Sequence, residues 1–107
     1  MTMNISELET ILGQAVRITG TRVGVENAEF FSVDELLDLV KQKNQQVSER
    51  LESFVKSYWQ WFHFHLRIES LGKQGNLNQD EHSQLAELVK QRNETRQQLL
   101  AVLPAAA

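Results

Sequence analysis

The segment Tyr58-Trp59-Gln60-Trp61-Phe62-His63-Phe64-His65-Leu66 constrains the fold of this chain more than any other. The 107 residues include five Phe, two Trp and one Tyr; both Trp, the Tyr and two of the Phe fall between positions 58 and 64. A helix can turn only one stripe toward a single neighbour. On a helical wheel at about 100° per residue, the apolar side chains from Tyr58 to Ile68 spread over about 220°, leaving Gln60, His63 and Arg67 as a polar strip. The segment therefore has to meet more than one partner surface.

Helix signals surround it. Asn4, Ser32 and Asn78 are each followed three positions later by Glu, at Glu7, Glu35 and Glu81. In this pattern the capping side chain accepts from an orphan backbone N–H and the Glu reaches back to the cap. Met3 with Leu8, and Phe31 with Leu36, add hydrophobic staples. The pattern predicts an all-α chain: a helix over 5–18 stopped by Gly20, a long helix over 33–71, a turn at 72–78, a helix over 79–103 ended by Pro104, and a frayed tail at 104–107. Residues 19–31, with Gly20, Gly24 and β-branched Thr21, Val23 and Val25, read as a loop or a short hairpin.

The long helix carries no Pro or Gly and would extend roughly 58 Å. Val33, Leu37, Val40, Asn44, Val47, Leu51, Phe54, Tyr58, Trp61, His65 and Ile68 alternate at spacings of four and three, a heptad seam of coiled-coil type with Asn44 as its central polar residue. Asn44 there either sets register or stays solvated. The short turn folds the last helix back as an antiparallel hairpin. A hairpin centred near Gly75 sets His82 beside Ile68, Leu85 beside His65, Arg92 beside Tyr58, Arg96 beside Phe54 and Leu103 beside Val47.

Composition narrows the partners. Eleven Lys and Arg against fourteen Asp and Glu give a formal net charge of −3, and the basic residues are scattered, which argues against nucleic acid or an anionic membrane surface. No apolar run approaches the roughly 20 residues that span a bilayer. The acidic start, with Glu7 and Glu9 and no apolar core, is unlike a secretory signal, and a cytoplasmic protein is expected. The absence of Cys removes disulfides and thiolate metal sites.

Chemistry-bearing patterns are sparse. No catalytic arrangement is present: no Ser, His and Asp set can be argued, and no Gly-rich loop precedes a helix with a phosphate-binding Lys. No enzyme activity and no cofactor are expected. Arg92 and Arg96 interrupt the apolar face of the last helix, which suggests either an anion site or guanidinium groups stacked on Tyr58 and Phe54. His65 and Glu69 share a helical face that the hairpin brings toward His82, a set able to hold Zn²⁺, although the spacing matches no established metal motif.

These readings converge on an interaction protein. The flanks of the aromatic segment exceed what the hairpin buries, so the sequence points to a homodimeric helical bundle, of adaptor or regulatory type, paired through Tyr58, Trp59, Trp61, Phe62, Phe64 and Leu66. Two other readings stand beside it. In one the first helix covers the aromatics within one chain; in the other the bundle binds a ligand or metal at the positions just named.

Overall fold

A computed structural model describes residues 5–73 and 75–104. In chain order these form α1 (Ile5–Arg22), a single 3₁₀ turn (Ala28–Phe30), α2 (Val33–Lys43), α3 (Gln45–Ser70) and α4 (Gln79–Val102). Among the described residues there is no strand, and no helix is long and apolar enough to cross a membrane. The expected cap at Asn4, the Met3–Leu8 staple and the tail from residue 105 lie outside the described residues.

Gly20 does not stop α1, contrary to expectation. The helix runs on to Arg22, with the Thr19 and Thr21 hydroxyls donating to the carbonyl oxygens of Ala15 and Arg17 at 2.8 and 3.0 Å. Gly20 is there to let two helices meet, since a Cβ would stand 3.2 Å from Leu36 Cδ2. The stop is Gly24, at φ +95°. Val25 N–H donates to Gly20 O at 2.9 Å and Gly24 N–H to Thr21 O at 3.2 Å, the paired bonds of a Schellman cap that favours Gly at its left-handed position. The hairpin option for 19–31 is thus excluded: the segment is a helix end, a turn and the 3₁₀ turn, with Val25 and Ala28 buried against the core.

The continuous helix expected over 33–71 is broken at Asn44. This residue is extended (φ −158°, ψ 102°), and its side-chain oxygen accepts from Val47 N–H at 3.1 Å, so it closes α2 and caps α3. Val33 and Leu37 of α2 line the same groove as Val55 and Trp59 of α3, so α2 is folded back along the first half of α3. The molecule measures 47 × 25 × 20 Å, too short for a 58 Å rod. An Asn is suited to this place because its short side chain can bond a nearby backbone N–H in place of the helical carbonyl.

α3 is the spine. α1 and α2 pack on its N-terminal half and α4 runs back along it. One core joins Leu8, Leu12 and Val16 of α1, Leu36 and Val40 of α2, Val47, Leu51, Phe54 and Phe62 of α3, and Leu99 of α4. Full burial of each large apolar side chain contributes about 1.5–3 kcal/mol. α3 ends in a second Schellman cap at Gly72 (φ +68°), with Lys73 N–H donating to Ile68 O at 3.0 Å. α4 then starts with the complete capping box predicted for it: Asn78 Oδ1 accepts from Glu81 N–H at 2.8 Å, and Glu81 Oε1 accepts from Asn78 N–H at 3.1 Å.

Candidate functional site

The aromatic segment occupies the second half of α3, and its side chains part company there. Phe62 is fully buried, and Phe64 is buried beside a hollow that it shares with Gln84 and Leu88 of α4. Trp59 stacks on His63 at 5.3 Å and lines an apolar groove of about 300 Å³ with Leu12, Gly13 and Val16 of α1 and Val33 and Leu37 of α2. Leu66, half-buried, packs against the same core. The flanks of the segment therefore meet helices of their own chain, Trp59 on the α1–α2 side and Phe64 on the α4 side. The fold-back at Asn44 makes this possible, because it brings α2 to a region that a straight helix would have left behind.

Tyr58 and Trp61 lie between those flanks. Tyr58 makes edge contacts with Phe54 at 5.7 Å and with Trp61 at 5.4 Å, and Trp61 stacks on His65 at 5.7 Å with an interplanar angle of 19°. Over this row stands Arg92 of α4, its guanidinium carbon 4.5 Å from the Trp61 centroid and 5.7 Å from that of Tyr58. The ring quadrupoles attract the cation, by about 0.5–1 kcal/mol where exposed and about 2 where desolvated. The expected neighbourhood of Arg92 and Tyr58 is thus present, and Arg50 Nη1 donating to Gln98 Oε1 at 3.4 Å extends the antiparallel register along α3 and α4.

Tyr58, Trp61, His65 and Arg92 are all half-buried. On α4, Leu85 and Val89 precede Arg92 by seven and three positions, and Arg96 and Leu100 follow it by four and eight, so the five share one helical side. Leu85 and Val89 are half-buried, Arg96 is exposed, and Leu100 keeps 49% of its surface in water. Only Leu99 of the 24 residues of α4 is buried. The two Arg that interrupt the apolar face of the last helix in the sequence mark this side of α4 as incompletely buried.

The remaining expected site residues do not converge. His65 is stacked on Trp61, His82 is exposed in the first turn of α4, and Glu69 is half-buried with Oε2 enclosed and lacking a hydrogen-bond partner. Among the described residues no group of three His, Asp or Glu side chains is placed to hold a metal ion, so His65, Glu69 and His82 are not assembled as a site. Of the two Arg, Arg92 stands over the rings, and Arg96, one turn further along α4, is exposed. Lys73, at 3.4 Å from Glu81, makes the ion pair that closes the α3–α4 turn. The pairing was missed because Lys73 lies in a turn with no helical period.

The chain matches no protein-family model, no curated protein and no solved structure at a significant level.

Proposed function

We propose that this chain acts through protein–protein association, as a homodimer paired through the face that α3 and α4 form together around Tyr58, Trp61, Val89 and Arg92. The observation that carries this reading is α4 itself. It carries Leu85, Val89 and Leu100 along this face and fully buries none of them, which leaves apolar surface to cover. A half-exposed Trp, Tyr and Arg at the centre of such a face is the composition of an association hot spot. Phe62 and Phe64 are excluded from the contact, being internal; Trp59 and Leu66 belong to the opposite flank.

A second copy is favoured by the distribution of charge. In the register set by Arg92 against Tyr58, Arg96 is level with Phe54, so Arg96 and Glu69 lie about equally far on either side of Trp61. A twofold axis near Trp61 therefore sets Arg96 of each copy level with Glu69 of the other, and an isologous contact of this kind is self-complementary. The pairing would set a cation beside the Glu69 carboxylate of the other copy.

Charge reversal tests it. Arg96→Glu and Glu69→Lys are each expected to weaken dimerisation by about tenfold or more, the effect of losing a close interfacial charge pair, and the double variant to recover most of it. Dimerisation unchanged in both single variants would overturn the proposed contact.

A further inference from the structure

The junction at Asn44 is a single residue. α2 ends at Lys43 and α3 begins at Gln45, and Asn44 keeps a helical bond on each side: its N–H donates to Val40 O at 2.8 Å and its carbonyl accepts from Ser48 N–H at 3.0 Å. A straight helix would carry the N–H groups of Gln45, Gln46 and Val47 to the carbonyls of Lys41, Gln42 and Lys43. At the break, Val47 N–H turns instead to Asn44 Oδ1. Rotation of the Asn44 backbone alone separates the bent arrangement from a continuous helix.

Nothing else in the sequence opposes the straight form. No Gly or Pro occurs from Val33 to Leu71, and the apolar seam stays in phase through Asn44. Lys41, Gln42, Lys43, Gln45 and Gln46 are exposed, so straightening neither strips nor traps apolar surface at the junction. The parts that would move form one unit. Gly20 of α1 packs closely on α2, where a Cβ would stand 3.2 Å from Leu36 Cδ2 and 3.8 Å from Val40 Cγ2, so α1 travels with α2.

We propose that Asn44 is a hinge through which two copies of this chain exchange their α1–α2 units. In the exchanged dimer α2 and α3 of each chain form one continuous helix, and α1–α2 of one chain fills the place on α3 of the other that its own α1–α2 had filled. Every contact of the core is kept; only the hinge changes, the condition under which exchange is a low-cost route to a dimer. The two Asn44 side chains meet where the long helices cross, the position at which a polar seam residue can pair with its counterpart. This goes beyond the face-to-face pairing proposed above and does not depend on it.

A distance within one chain separates the two. The sequence has no Cys, so Asp34→Cys with Lys56→Cys, both at exposed positions, provide two unique sites for spin labels. Labelled chain is refolded at high concentration with an excess of unlabelled chain, so that only intrachain distances are read. Folded back, the labels sit on neighbouring helices with axes about 8–10 Å apart and stay within about 25 Å of each other. In a continuous helix the 22-residue separation spans about 33 Å. Face-to-face pairing leaves the short distance in place.

Asn44→Leu removes the cap and completes the apolar seam. It is expected to give a dimer in which the longer distance dominates, and insertion of Gly-Asn-Gly after Asn44 is expected to restore the short one. A folded Asn44→Leu chain that keeps the short distance, as monomer or as dimer, overturns the exchange. Where that variant does not fold, the labelled chain with Asn44 intact, refolded at its highest soluble concentration, is read on the same terms: the longer distance supports the exchange, and the short distance alone overturns it.

Discussion

Arg92 of α4 stands 4.5 Å above the ring of Trp61 on α3, and that contact joins the two longest helices at the middle of the face proposed for pairing. The guanidinium is weakly hydrated and planar, so it can lie on an indole and keep its N–H edges toward water. Arg92→Ala removes the cation and the stem that covers the rings. It is expected to lower unfolding free energy by about 1–2 kcal/mol in urea titration, with Arg92→Lys intermediate because an ammonium does not stack. Equal stability of all three proteins would show that the contact contributes nothing.

The cap at Gly24 gives a second expectation. At φ +95° the backbone is in the left-handed region, and a Cβ there would meet nothing within 4 Å, so any cost of Gly24→Ala is conformational. A loss of roughly 1–2 kcal/mol is expected. Gln97 is exposed within α4 with helical backbone, and Gln97→Ala should stay within about 0.5 kcal/mol of the parent. Thermal or urea unfolding of the two variants side by side checks the contrast.

Acid should loosen the α3–α4 turn. The hydrogen bond from Asn78 N–H holds the Glu81 carboxyl below the ordinary glutamate value; desolvation opposes it more weakly, and the charge and hydrogen bond of Lys73 add to the lowering. The unfolded chain therefore takes up this proton at higher pH than the folded one. The stabilisation is complete above the ordinary glutamate range and is lost as pH falls through the lowered folded value. Glu81→Gln keeps an acceptor for Asn78 but drops the charge, so its stability should trail the parent at neutral pH and converge on it in acid. A gap that widens toward low pH would contradict this assignment.

The sequence disclosed what local signals control. Caps at Ser32 and Asn78 and the period of α3 announce the helices, and the short turn after α3 puts Arg92 beside Tyr58. The break at Asn44 was hidden because no Gly or Pro marks it and the apolar seam continues through it; a side chain bonding to the backbone of Val47 decides the matter, and the same Asn in a straight seam looks identical on paper. Gly20 was misread for a related reason. A glycine that admits Leu36 and Val40 and a glycine that ends a helix are the same letter, and only the tertiary approach distinguishes Gly20 from Gly24. Coverage of Trp59 could not be foreseen without the fold-back of α2, and Phe64, which the wheel leaves outside the hairpin, meets Gln84 and Leu88 of α4 only through the packing of the two helices.

The most direct measurement is sedimentation equilibrium of the full chain over a wide concentration range, beside Trp61→Ala. A species of twice the 12.3 kDa chain mass is expected, shifted toward monomer by Trp61→Ala while circular dichroism shows the helices retained. A mass of 12.3 kDa at every concentration, with Trp61→Ala indistinguishable from the parent, would contradict the proposed pairing.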